Sequence, residues 1–207
     1  MERRPLKSRS TSWARFFSRW LLEKKVQPDH ISLTGIVFAL LSGVSFLLAS
    51  FEGGNILYFL AGVFIQLRLL CNMLDGMVAL EGGLKSKFGD LYNELPDRIE
   101  DLVILVCAGY GIRAVACGNV LGWAAAVMAV LTAYIRAFGG AIGTKQYFQG
   151  PMAKPQRMAV LTIACVLEAV FLRQGLFLAL ALCVVILGGV ITCVRRVGFI
   201  VRELNSR

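Results

Sequence analysis

Two short segments of the chain carry acidic and amide side chains at the spacing of one helix face. Asn72 and Asp75 are three residues apart, and Ala79 continues the same face one turn later. Asn93 and Asp97 are four residues apart. Residues three or four apart lie on the same side of an α-helix. If the two segments are antiparallel helices, their oxygens face each other across a cleft, and such hard ligands suit Mg²⁺, Mn²⁺ or Ca²⁺.

Acidic residues are concentrated around these segments. Seven of the thirteen Asp and Glu residues lie between Asp75 and Asp101. At a helical repeat of about 100° per residue, those of the second segment fall within a sector of roughly 120°. They are Asp90, Glu94, Asp97, Glu100 and Asp101. A charge in the middle of a bilayer costs about 2.5–3.5 kcal/mol on insertion scales, so we expect a hydrated, paired or metal-filled functional site. Arg68 is expected to pair with Asp75 or Asp97.

The elements that position these residues are predicted to be transmembrane helices. Of the 207 residues, 57% are hydrophobic and 17% are charged, which is more apolar surface than a soluble domain of this size can bury. A helix needs roughly 20 residues to span the hydrocarbon layer. The apolar runs therefore predict an all-α polytopic membrane protein with six spans, at 31–51, 56–80, 89–112, 119–143, 157–172 and 175–194.

The Lys and Arg residues indicate which side of the membrane each connection faces. The two terminal segments and the second and fourth connections hold seventeen of them, whereas the other three connections hold only Arg113 and Arg173. Because basic residues are enriched on the cytoplasmic side, both termini and the acidic site are expected there. The net charge of +9 is therefore explained by membrane topology and by attraction to the anionic inner leaflet. Nucleic acid is not expected as a partner.

Residues 1–30 are predicted to be a basic interfacial segment, and residues 31–207 a single six-helix transmembrane domain. Within the first segment, Trp13, Phe16 and Trp20 lie on one side of residues 11–25, as is typical of an amphipathic helix at the membrane surface. The six cysteines lack paired spacing and mostly lie in apolar runs. They are predicted to be buried thiols rather than disulfides or metal ligands.

The spacing from Asn72 to Asp97 resembles the signature of the CDP-alcohol phosphotransferases, also called CDP-alcohol phosphatidyltransferases, D-x2-D-G-x2-A-R-x8-G-x3-D-x3-D. The chain reads N-ML-DG-MV-A-L, then EGGLKSKF, then G-DLY-N-ELP-D, so every spacing matches over 26 residues. The sequence PDHIS at the entry to the first span and the later stretch YIRA…KPQRMA are similar as well. The chain departs at three positions. Asn72 and Asn93 replace the first and third aspartates and Leu80 replaces the arginine, whereas Asp75 and Asp97 are retained.

The resemblance implies a membrane transferase of phospholipid biosynthesis. It would move a phosphatidyl group from a CDP-linked lipid, such as CDP-diacylglycerol or another CDP-alcohol, to an alcohol acceptor that the sequence does not identify, and it would release CMP. The signature positions Asn72, Asp75, Asn93 and Asp97 would hold one or two ions of Mg²⁺ or Mn²⁺, with Ca²⁺ as a substitute or inhibitor. Asp97 would be the catalytic base. Because two carboxylates are replaced by amides, weaker metal binding is expected, with one tightly held ion.

The resemblance also implies the residues that contact the substrates. Gly76, Ala79 and Gly89 would line the nucleotide pocket, and Lys85, Arg136, Lys154 and Arg157 would contact phosphate groups. Membrane topology explains Lys85, Lys154 and Arg157 equally well, and a salt bridge explains Arg136. A homodimer in a bacterial inner membrane is expected from the same resemblance.

Three other functions stay open. A non-catalytic relative that binds lipid or nucleotide would account for Asn72, Asn93 and Leu80. A prenyltransferase would also bind Mg²⁺-diphosphate through Asn- and Asp-rich motifs, although such chains usually have more spans. A transporter would account for charges inside the membrane, although the sequence has no repeated halves.

Overall fold

The computed structural model describes residues 11–52, 54–83 and 89–207, with side chains described except at 52 and 89–93. The regular elements in these ranges are seven helices, which confirms the all-α prediction. They are α1 (Ser12–Glu23), α2 (Pro28–Glu52), α3 (Asn55–Glu81), α4 (Gly89–Tyr110), α5 (Gly118–Ala141), α6 (Lys154–Phe171) and α7 (Leu176–Asn205).

The connections between α2 and α7 are short, so successive helices run in opposite directions. The first residues of α2, α4 and α6 therefore lie at the same end of the molecule as the last residues of α3, α5 and α7. α2 packs against α3 and α4, α3 against α6, α6 against α7, α7 against α5, and α5 against α4. These contacts close a ring of six helices, and α1 lies against α3.

The closest approach in the ring is between α4 and α5. A Cβ atom at Gly109 would lie 2.6 Å from the backbone oxygen of Gly118 and from Cα of Gly122. Real side chains do not reach such distances, so glycine is required for the two backbones to meet. Small residues of this kind let helices pack closely in membranes, where apolar burial alone gives little preference for a partner helix.

Among the described residues, four helices are long and apolar enough to cross a bilayer. They are Pro28–Phe51, Asn55–Glu81, Gly118–Ala141 and Leu176–Asn205. α4 and α6 coincide with the other two predicted spans, but α4 begins with a run of acidic residues and α6 has only 18 residues, three of them charged. An integral membrane protein is therefore supported, and the count of six spans stays a prediction.

α7 continues to Asn205, well beyond the predicted end of the sixth span at residue 194. Hydropathy marks where the apolar stretch ends, whereas a helix continues for as long as its backbone hydrogen bonds do. The last part of α7 carries Arg195, Arg196 and Arg202, which an apolar window excludes.

At the end of the bundle away from the acidic segments, buried polar side chains link neighbouring segments through hydrogen bonds. The carboxylate of Glu168 accepts hydrogen bonds from the backbone N–H groups of Phe177, at 2.6 Å, and Arg173, at 3.1 Å. The hydroxyl of Tyr58 donates to the Gly111 oxygen at 2.9 Å. Glu168, for which the sequence offers no partner, thus binds the backbone at the start of α7.

All six cysteines are free thiols, as predicted. Burial was predicted correctly for Cys71, Cys165 and Cys193, but Cys107 and Cys183 are half-buried and Cys117, which lies in a connection between helices, is exposed.

Candidate active site

The acidic segments meet where α3, α5 and α7 end and α2, α4 and α6 begin. Asn72 links the two segments, because its amide nitrogen donates to Oδ1 of Asp97 at 2.6 Å and to Oε2 of Glu100 at 3.1 Å. The predicted faces of the two helices therefore contact each other. The amide oxygen of Asn72 lies beside Gly35 of α2, 3.2 Å from the place where a Cβ atom of that residue would be.

Asp75 lies beside Asn72 on α3 and is 3% exposed. Its Oδ2 accepts a hydrogen bond from Ser32 of α2 at 2.7 Å. Its Oδ1 is buried and has no hydrogen-bond partner among the described residues. A buried carboxylate oxygen without a donor is costly, so Oδ1 of Asp75 is available to a further cation or donor. Ser32 was not predicted as a site residue, and only its place in the PDHIS sequence points to it.

Asp97 of α4 is partly accessible, with 17% of its side chain exposed. Its Oδ1 contacts the ammonium group of Lys154, at the start of α6. Its Oδ2 lies 3.6 Å from Nη2 of Arg98. Both contacts are with positively charged groups, so ion pairs hold the Asp97 side chain in place at the mouth of the site.

A buried ion-pair network lies behind these residues. Arg68, which is fully buried, contacts Glu100 through Nε and Oδ1 of Asp101 through Nη2 at 2.8 Å. Oδ2 of Asp101 accepts a hydrogen bond from Nη2 of Arg157 at 2.7 Å. The expected pairing of Arg68 with Asp97 is present only as a 3.9 Å contact and a 3.2 Å hydrogen bond to the Asp97 backbone oxygen.

The antiparallel direction of α3 and α4 explains why Arg68 contacts Glu100 and Asp101. Arg68 lies one turn before Asn72 on α3, and α4 runs the opposite way, so Arg68 faces the turn of α4 that follows Asp97. That turn contains Glu100 and Asp101. The sequence identified both acids as members of the same sector, but it did not identify which cation each one pairs with.

The predicted phosphate-binding residues differ in how accessible they are. Arg136 contacts both carboxylate oxygens of Glu94, with 2.8 Å to Oε2, and its guanidinium lies 5.2 Å from the ring centre of Phe148. The salt bridge considered for Arg136 is therefore present. Lys154 is 19% exposed. Arg157 is nearly buried, and it donates to Thr132 as well as to Asp101.

The other predicted site residues are described in part. Gly76 is buried and Ala79 is half-buried on the same part of α3. Leu80, at the position of the signature arginine, is 49% exposed. Gly89 is the first residue of α4, and the side chain of Asn93 lies outside the described part of the chain. Lys85 lies outside the described residues altogether.

The described charges of the site balance one another. Five carboxylates face five cations. The carboxylates are Asp75, Glu94, Asp97, Glu100 and Asp101, and the cations are Arg68, Arg98, Arg136, Lys154 and Arg157. A divalent cation or a diphosphate alone would leave an uncompensated charge in this buried setting, which is costly. The two together would keep the site close to neutral.

The donor atoms fit a hard divalent cation that is held partly by amide oxygens. No group of three or more His, Cys, Asp or Glu side chains around one point is found within the described ranges. The fit therefore depends on the free Oδ1 of Asp75, on Asp97 and on the amide oxygen of Asn72. Carboxylate and amide oxygens are the ligands that Mg²⁺, Mn²⁺ and Ca²⁺ prefer.

Comparison with known proteins relates this geometry to one family. The sequence model of the CDP-alcohol phosphatidyltransferases matches residues 25–195. The chain is 26% identical to phosphatidylinositol phosphate synthase of Streptomyces avermitilis, over 90% of this chain and 77% of that protein. It is 33% identical to Inner membrane protein YnbA of Escherichia coli over 41% of each chain, so that match spans less than half of the relative's length.

The fold is similar to that of solved structures of phosphatidylinositol phosphate synthase from Mycobacterium tuberculosis. The structure with CDP-DAG bound has a TM-score of 0.73 and 22% identity, and the match covers 90% of this chain and 92% of that one. A second structure, in complex with manganese and citrate, has a TM-score of 0.74, also with 22% identity, over 90% of this chain and 88% of that one. At this level of identity the likeness shows a shared fold.

Proposed function

The chain belongs to the CDP-alcohol phosphatidyltransferase family, and we propose that it transfers a phosphatidyl group from CDP-diacylglycerol to an alcohol with release of CMP. The observation that carries the proposal is the meeting of α3 and α4 through Asn72 and Asp97, with Asp75 beside them. These residues bring both retained signature aspartates to one end of the bundle.

The acceptor that we propose is an alcohol that carries a phosphate group. Lys154 and Arg136 line the same end of the molecule, and both remain partly exposed. Phosphate is bound well by such side chains through charge-assisted hydrogen bonds. The similarity to an enzyme named phosphatidylinositol phosphate synthase supports an acceptor of this class.

The mechanism that we propose assigns proton transfer to Asp97. Its carboxylate would accept the proton of the acceptor hydroxyl while that oxygen forms a bond to the phosphorus that carries the lipid. The bond from this phosphorus to the CMP oxygen would break, and CMP would leave. A divalent cation, Mg²⁺ or Mn²⁺, would neutralise charge on the phosphoryl oxygens when it is bound.

The remaining residues would orient the reacting groups. Lys154 and the amide nitrogen of Asn72 hold Oδ1 of Asp97, and Oδ2, which lies 3.6 Å from Nη2 of Arg98, would accept the proton. Lys154 and Arg136 would contact the phosphates. Arg157 would act from the buried side, because its donors bind Asp101 and Thr132. Positioning of this kind accounts for most of the catalysis in phosphoryl transfer.

The proposal is tested with purified protein in phospholipid nanodiscs that contain CDP-diacylglycerol. CMP release and the lipid product are measured with a panel of phosphorylated and unphosphorylated alcohols, in Mg²⁺ or in Mn²⁺. We expect CMP only in the presence of a phosphorylated acceptor, and no reaction after chelation of the metal. The Asp97→Asn variant should lose about 10²–10⁴-fold in kcat.

The matched control is Asp29→Asn, since Asp29 is an exposed acid in the first turn of α2. It should retain full activity. A wild-type protein that released no CMP with any acceptor or metal would refute the catalytic proposal. Binding of CDP-diacylglycerol without turnover would instead support a non-catalytic lipid-binding function, which the amide side chain of Asn72 and the exposed Leu80 favour as the second candidate.

A further inference from the structure

We propose that Glu100 supplies to the cation site the carboxylate that the chain lacks at Asn72. This inference rests on the proposed function, because it concerns the cation of the same site. Compared with the signature, the site would then carry this negative charge on α4 instead of on α3. Glu100 lies one turn after Asp97 on α4, outside the signature.

The first observation is the state of the Glu100 carboxylate. Glu100 is 1% exposed. Its Oε2 contacts Nε of Arg68 and accepts a hydrogen bond from the Asn72 amide. Its Oε1 is buried and has no hydrogen-bond partner among the described residues. Leaving one oxygen of a buried carboxylate without a donor is costly, so this oxygen requires a ligand that the described side chains do not supply.

The second observation is where this oxygen points. A Cβ atom at Gly35 of α2 would lie 3.2 Å from Oε1 of Glu100 and also 3.2 Å from Oδ1 of Asn72. The two oxygens therefore converge on one place beside α2, and the missing side chain at Gly35 leaves room for them.

Asp75 faces the same part of α2, because Ser32, one turn before Gly35, donates to its Oδ2. Its other oxygen is also without a partner. One amide oxygen and two unpartnered carboxylate oxygens are thus available on side chains that lie against the same face of α2. They come from Asn72, Asp75 and Glu100, and they form the hard-ligand set that divalent cations prefer.

The third observation explains why an amide stands at position 72. The Asn72 nitrogen donates both to Asp97 and to Glu100. A carboxylate in its place would add a third negative group beside Asp97 and Glu100 and would remove the amide donor that links them, and like charges at such distances repel strongly. With Glu100 present, an asparagine at 72 is therefore the compatible residue.

The competing explanation is that Glu100 only neutralises Arg68. Arg68 already has a second carboxylate in Asp101, at 2.8 Å, and the contact with Arg68 uses only one oxygen of Glu100. Glutamine at position 100 would keep an oxygen acceptor for Arg68 while removing the negative charge. Glu100→Gln therefore separates the two explanations.

The test measures the affinity of the purified, detergent-solubilised protein for Mn²⁺ in the presence of CDP-diacylglycerol, by electron paramagnetic resonance of the free ion, together with the melting temperature. We expect Glu100→Gln to weaken Mn²⁺ binding by about 10–100-fold. We expect Asn72→Asp to be impaired as well. The double variant Asn72→Asp/Glu100→Gln, which returns the carboxylate to α3, should recover the wild-type affinity to within about threefold, as coupled neighbours do.

Two further variants keep the test independent of folding. Glu81→Gln makes the same chemical change at an exposed residue outside the site, and it should leave the Mn²⁺ affinity unchanged. Gly35→Ala keeps every charge and favours the helix, but its methyl group would crowd the two oxygens. It should weaken Mn²⁺ binding without lowering the melting temperature.

The outcomes distinguish this inference from the proposed function. Unchanged Mn²⁺ affinity in Glu100→Gln, with or without a lower melting temperature, would overturn the role of Glu100 and leave the transferase proposal intact. Purely additive losses in the double variant would also overturn it. A wild-type protein that bound no Mn²⁺ would overturn both proposals.

Discussion

Asp97 and Lys154 show how single side chains define the chemistry of the site. Their contact joins the fourth helix to the sixth at the mouth of the cleft. Lys154 is partly exposed, whereas Arg68 and Arg157 are buried behind it and bound by protein acceptors. The basic side chains thus divide into accessible ones that suit a phosphate and buried ones that hold the acids in place.

We predict that Lys154→Gln lowers kcat/KM for the phosphorylated acceptor about ten- to hundredfold. Loss of a hydrogen bond to a charged group costs about 1.5–3 kcal/mol, which corresponds to this range. The measurement is steady-state CMP release at varied acceptor concentration. Lys145→Gln is the control, because Lys145 is an exposed lysine of the same connection and should retain wild-type kinetics. Equal losses of kcat/KM in both variants would mean that the net positive charge of this end of the molecule, and not a contact with Lys154, causes the effect.

The connection between α5 and α6 is held by α7. Arg196 donates to the backbone oxygens of Gln149, at 3.1 Å, and Phe148, at 3.3 Å. Glu203 accepts hydrogen bonds from the hydroxyl of Tyr147, at 2.8 Å, and from the backbone of Lys145. The long extension of α7 past the predicted span therefore fixes the segment that leads to Lys154. At its other end, α7 is joined to α6 through Glu168.

We predict that Glu168→Ala destabilises the protein without altering the site. The carboxylate binds two backbone N–H groups at the start of α7, and leaving buried donors unsatisfied costs about 1–3 kcal/mol. The melting temperature in detergent should fall by roughly 2–10 °C, while Mn²⁺ affinity at low temperature is retained.

Glu168→Gln should be milder, since its amide oxygen can still accept one of these hydrogen bonds. The control is Glu23→Ala at the exposed end of α1. A melting temperature unchanged by Glu168→Ala would show that the start of α7 does not depend on this side chain.

The ring of six helices gathers the described candidate site residues at one end of the molecule. α2 contributes Ser32 and Gly35, α3 the amide and acid of the signature, α4 the acidic sector, and α5 and α6 the basic residues. A cytoplasmic location for this end follows from the distribution of Lys and Arg and stays a prediction. The division at residue 30, the interfacial position of α1 and a homodimer also stay predictions.

We predict that Cys117 is labelled by a membrane-impermeant maleimide from the outside of cells. Cys117 is an exposed free thiol in the connection between α4 and α5, opposite the acidic end. In a Cys117→Ser background, a cysteine placed at Lys145 should be labelled only in inside-out vesicles. The measurement is a gel shift after labelling. The reverse pattern for the two positions would invert the topology and place the site outside.

The number and order of the helices and the spacing of the signature are local properties, and the sequence determined them. Asn72, Asp75 and Asp97 were correctly placed on facing helices, because a helical repeat of 3.6 residues decides which side chains share a face. Only the tertiary structure decided their partners. Ser32 binds Asp75, and Arg68 contacts Glu100 and Asp101 more closely than the signature residue Asp97. Such pairings depend on how far neighbouring helices are rotated and shifted along each other, which the spacing within one helix does not determine.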